Sequence, residues 1–192
     1  MLIPFNFLKT AQAAGILIKA EPGRRISPVR LLKLLYMADR ELLQERGRPI
    51  PGDRPIAMDH GPVPGRTYDI VKGTDYCSPT WDKYFRTAGR RDIELNLDPG
   101  VGRLTRREIL SLREVSDRCG SMDDWALAEL THGFAEWQKN RPAEHAAREI
   151  PVQDLLEAVG LAPYHDGRLG ACRIDARLCR VAEEPPRGAR RA

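Results

Sequence analysis

Residues 31–73 read LLKLLYMADRELLQERGRPIPGDRPIAMDHGPVPGRTYDIVKG, and the order of patterns inside this stretch decides the fold. Leu31, Leu34, Leu35, Ala38 and Leu42 recur at i, i+3, i+4, i+7 and i+11, one face of an amphipathic helix. Ser27-Pro28 supplies an N-cap and a proline at the first helical position, and Gly47 is a natural C-terminal stop. Between Arg48 and Pro64 stand Pro49, Pro51, Pro55, Pro62 and Pro64, which no regular helix tolerates. Within that stretch Pro55–Met58 is expected to pair as an edge strand and the remainder to be ordered loop. Gly65–Lys72 then reads as a short helix stopped by Gly73. No nucleotide fingerprint, metal-ligand spacing or nucleophile motif interrupts these elements, a pattern that suits a recognition module better than an enzyme.

The flanks extend the same reading. Asn6 caps an expected helix to about Ala20, with Phe7, Ala11, Ala14 and Ile18 on one face and Glu21-Pro22-Gly23 ending it. Its apolar stripe and the lack of a basic leader identify it as a core helix, not a signal peptide. Trp81, Lys83 and Phe85, then Ile93, Leu95 and Leu97, alternate about Ala88-Gly89-Arg90 as a small β-hairpin would. Thr105 and Glu108 form a capping box for a helix to about Cys119. Ser121–Asp124 opens another to about His132, carrying Trp125, Ala128 and Leu130. Near Pro151 a last helix presents Val152, Leu155, Leu156 and Val159, closed by Gly160. The expected fold is mainly α (α+β): a compact helical domain with one small antiparallel β-hairpin and a Pro-rich ordered loop, over residues 1–163. Residues 164–192 are expected to be a basic, flexible tail.

Charge and cysteine usage narrow the function. The formal net charge is +4, but His165–Ala192 holds seven Arg against Asp166, Asp175, Glu183 and Glu184, leaving about +1 for the rest. A nearly neutral body gives little support to a nucleic-acid footprint, so DNA binding stands as an alternative only. Cys77, Cys119, Cys172 and Cys179 form no CxxC pair, which fits reduced thiols in a cytoplasmic protein and no zinc site. No apolar run is long enough to cross a membrane. The residues themselves call for no cofactor.

Five pieces in order carry a resemblance: Lys33-Leu34-Leu35-Tyr36-Met37-Ala38-Asp39, Gly47-Arg48-Pro49-Ile50, Gly61-Pro62-Val63, Tyr68-Asp69-Ile70-Val71, and Thr131-His132 with Glu136-Trp137. Over roughly residues 8–160 the chain resembles the Panacea domain, the SocA-like antitoxin domain. His60 stands where many members carry an aromatic residue. The resemblance implies a mostly helical bacterial or phage antitoxin whose partner is a cognate protein toxin. It also implies, for the SocA type, delivery of the toxin to a Clp-type protease. Autorepression through DNA is the alternative function, and a metal-dependent hydrolase the less favoured one.

The candidate partner-binding residues are His60, Gly61, Pro62, Val63, Tyr68 and Trp137. Two prolines and Gly61 fix the backbone course, and a stiff platform loses little entropy on binding. Trp137, bracketed by Glu136 and Gln138-Lys139-Asn140, reads as the most exposed of three tryptophans that otherwise favour the core. Asp39 is best read as polar support, accepting from loop N–H groups, with general acid/base or metal work the less favoured alternative. His132, near a helix C-terminus, also suits a structural role. Only convergence of His132, His60 and a carboxylate would argue for catalysis.

Overall fold

The computed structural model describes residues 5–89, 91–144 and 146–161. The expected basic tail, 164–192, lies outside the described residues. Three helices make the main core: α1 (Phe7–Ala20), α2 (Pro28–Arg46) and α5 (Arg106–Arg118). Each begins on a local signal. The Asn6 carboxamide accepts from the Lys9 N–H, Ser27 Oγ from the Arg30 N–H, and Thr105 and Glu108 bond reciprocally in the capping box. Gly47 ends α2 with φ of 67°, a left-handed conformation that glycine adopts without a Cβ penalty. Phe7, Ala11, Ala14 and Ile18 are buried as their spacing requires, and Leu31, Leu34, Leu35, Ala38 and Leu42 fill the centre. Gly15 lets the loop cross α1 closely, since a Cβ there would lie 2.9 Å from Pro99 Cγ.

Around this core stand α3 (Gly65–Lys72), α4 (Ser78–Tyr84), α6 (Asp124–His132), α7 (Ala135–Lys139) and α8 (Val152–Ala158). The mainly helical expectation holds, but the strands go beyond one hairpin. One antiparallel sheet runs β1 (Arg25–Ile26), β5 (Asp92–Leu95), β4 (Phe85–Ala88). Trp81 and Lys83 belong to α4 and not to the hairpin arm, and Leu97 lies beyond β5. A three-residue alternation fits a helical turn equally well, and Trp81 and Phe85, four apart, pack with tilted rings whose centroids are 4.1 Å apart.

The second sheet carries the functional argument. Its order is β3 (Gly61–Pro64), β2 (Pro55–Met58), β6 (Arg148–Glu149). β2 is therefore the central strand, correcting the expected edge position, because Ile56 pairs with Glu149 and Ala57 with Arg148. Two residues far along the chain leave no local signal of that partner. β3, expected as loop, pairs Gly61 with Met58 and Val63 with Ile56. Its prolines are tolerated because it has a single neighbour, so no ladder bond is lost on the open side. Ala57, Trp137 and Ile150 form a small second core on this sheet, with Phe134 packed against it.

Candidate functional site

The two residues between β2 and β3, Asp59 and His60, form a turn that three helices grip. From α2, the Lys33 ammonium donates to the Pro62 carbonyl at 2.9 Å. From α7, the Trp137 indole N–H donates to the Met58 carbonyl at 2.9 Å. At the end of α6, His132 Nε2 meets the Asp59 carbonyl at 3.2 Å, while its ring stacks on Trp137 with centroids 4.3 Å apart. Gly61 makes the approach possible. Its φ is 95°, and a Cβ would lie 2.4 Å from Thr131 Oγ1 and 2.6 Å from Lys33 Nζ. The Thr131 hydroxyl is fixed there by donating to the Ala128 carbonyl at 2.9 Å. His60 projects outward from this clamp and is exposed.

Gly61→Ala is expected to cost about 2 kcal/mol, combining left-handed strain with overpacking. Gly47→Ala has similar φ but open space, and should cost about half as much. Urea unfolding of both compares them, and equal losses would count against the close packing at Gly61.

A second network holds α7 against α2. Glu136, wholly buried, accepts from Tyr36 Oη at 3.0 Å and from Arg40 Nε at 2.8 Å. The Arg40 guanidinium also lies 4.4 Å over the Phe134 ring. Asn140 Nδ2 donates to the Glu136 carbonyl and to Asp154, extending the tie to α8. Burial first, then the Glu136 charge, hold the Tyr36 phenol well above its ordinary pKa. Lys33, 1% exposed, has its amine pushed down to about 7 by burial.

The Pro-rich segment is fixed by carboxylates. Asp39 accepts from the Ile50 N–H, the acceptor role expected of it, and burial raises its pKa well above its ordinary value. Asp53 accepts from the Arg66 and Thr67 N–H groups and the Thr67 hydroxyl, so it serves the first turn of α3 from outside the helix.

The clamp unites His60, Gly61, Pro62, His132 and Trp137, with Val63 buried in β3. Tyr68 stands apart on α3, half-buried, with Lys72 Nζ 5.6 Å over its ring. Trp137 is 3% exposed whereas Trp125 is 71% exposed, reversing the expected order. The polar residues around Trp137 do not mark a surface, because Glu136 and Asn140 are themselves buried and paired. His132 meets the turn at the Asp59 carbonyl, next in sequence to His60, and no group of three or more His, Cys, Asp or Glu able to hold a metal occurs among the described residues. Lys33, Tyr36, Arg40 and Glu136 received no site role from sequence. The available signal was a lysine inside the apolar run LLKLL, on a helix that places Tyr36 and Arg40 at i+3 and i+7.

A mainly helical scaffold thus buries a polar network beside one turn and holds that turn in place. The chain belongs to the SocA-like antitoxin family: the model of its Panacea domain matches residues 31–138, which contain every residue of the clamp. No curated protein and no solved structure matches the chain. No described helix is long and apolar enough to cross a membrane.

Proposed function

We propose that this protein neutralises a cognate protein toxin by binding it directly. The observation that supports this reading is the triple clamp on Asp59–His60, which spends a buried lysine, a stacked histidine and an indole N–H on immobilising a surface turn. An immobilised turn binds with a smaller ordering penalty than a mobile one. His60 and Tyr68 supply contacts, while Gly61, Pro62, Val63 and Trp137 hold the surface from beneath. Handing the bound toxin to a Clp-type protease is a further step of the same reading, made plausible by the family alone.

Co-expression with the product of the neighbouring reading frame tests it. That product should arrest growth alone and lose its toxicity beside this chain, and the two should co-purify. A harmless neighbour, or toxicity unchanged by this chain, would remove the proposal.

A further inference from the structure

Resting on the toxin-binding reading, we propose that the outer face of α6 is a second contact surface, which receives an arginine-bearing segment of the bound toxin on Trp125. Trp81 and Trp137 are 4% and 3% exposed, so Trp125 at 71% is the one tryptophan the fold leaves in water. Ala126 and Leu130 are also exposed, farther around the helix, while Leu127, Ala128 and Thr131 take the buried side. An aromatic side chain left uncovered on a regular helix is the composition of an interface anchor.

The backbone under the indole is rigid. Asp123 caps α6 by accepting from the Ala126 N–H at 2.8 Å, and Asp124 accepts from the Ser27 hydroxyl at 2.5 Å. Arg30, 6% exposed, donates to the Met122 and Cys119 carbonyls and pairs with Glu21 at 2.6 Å. An open depression of about 520 Å³ lies between these groups and Trp125. The anchor is therefore presented over a space that can admit a side chain.

Charge selects the occupant. Asp123 and Asp124 line the depression beside Trp125, Glu129 follows Trp125 by four residues along the helix, and the one arginine of the depression, Arg30, is already committed to Glu21 and two carbonyls. The Glu129 side chain is 69% exposed, its carboxylate 3.4 Å from His132 Nδ1. Phosphate is repelled by such a rim, which disfavours nucleic acid on this face. A guanidinium matches both parts, stacking its plane on the indole while the carboxylates accept its N–H groups. The surface thus asks for a cationic, partly apolar protein segment.

The test uses the full chain and the neighbouring gene product, after wild-type neutralisation has been established. Trp125→Ala should weaken the complex by at least about 30-fold. Glu129→Lys should weaken it about tenfold and flatten its dependence on salt. Trp125→Ala should leave the thermal midpoint of the free protein unchanged, and acrylamide should quench Trp125 fluorescence in the free protein but not in the complex. If both variants bind and neutralise as wild type does, this inference is overturned while the toxin-binding reading stands. If wild-type protein neutralises nothing, that reading fails and takes this one with it. If Trp125 is already shielded in the free protein, by residues 162–192 or by a second copy, the face belongs to that occupant and the inference is likewise overturned.

Discussion

Glu136→Ala is expected to lower the unfolding free energy by about 3–5 kcal/mol, because it removes one partner of a buried ion pair and strands the other. Glu136 is wholly buried, and its carboxylate receives both the Tyr36 hydroxyl and the Arg40 guanidinium. After truncation, Arg40 keeps Phe134 beneath it but has lost its counter-ion, and the Tyr36 hydroxyl has lost its acceptor. Glu136→Gln retains an acceptor for Tyr36 and should cost roughly half as much. Removing both charges together, as Arg40→Met with Glu136→Met, should recover part of the loss, giving a coupling of about 2 kcal/mol in a double-mutant cycle. Urea unfolding followed by circular dichroism provides the numbers. A loss under about 1 kcal/mol for the alanine variant, or strict additivity in the cycle, would show that the network contributes little.

Stability should rise with pH between about 7 and 9.5 through Lys33, and Lys33→Met should abolish that contribution. The folded-state amine is depressed to about 7, while an unfolded lysine titrates near its ordinary value of 10.5. Below pH 7 the amine is charged in both states, and the folded protein bears the full burden of a buried charge. Above 7 the unfolded chain binds more protons than the folded one, so the unfolding free energy climbs with pH until the unfolded amine also loses its proton. Across pH 7–9.5 the wild type should gain about 3 kcal/mol relative to Lys33→Met. Taking the difference between the two proteins cancels Tyr36 and Cys119, whose pKa values are both raised, first by burial. Methionine leaves the Pro62 carbonyl without its donor, at a cost of about 1–3 kcal/mol that does not vary with pH. The variant should therefore be the more stable protein at low pH and should lose that advantage as pH rises. A flat difference would mean that the amine is not depressed.

How much of this was legible depends on the range over which each signal acts. Ser27-Pro28 and Gly47 bound α2 as read, and Thr105 with Glu108 opens α5, because caps are satisfied within one turn of chain. Asp39 was readable as a backbone acceptor because the Pro-rich segment beside it needed one. The clamp was legible only in part. His60, Gly61, Pro62, His132 and Trp137 were singled out, but the lysine that joins them was not, since an amine buried against a carbonyl has no spacing rule. Trp137 and Trp125 were ordered wrongly because local polarity stood in for exposure. Glu136 and Asn140 reverse that inference by finding partners on α2 and α8. β6 was invisible for the same reason, its identity as a strand existing only through β2.

The match to the family's domain model ends at residue 138, yet the packing does not. Ile150, fully buried, covers Ala57 and Trp137, and its N–H donates to the Pro55 carbonyl. A fragment cut at the limit of similarity would leave the middle strand of the small sheet with a bare flank and the indole that grips the turn without its lid. The span that the family's domain model matches is thus smaller than the unit that packs together here, and the segment after it completes the sheet and lids the indole.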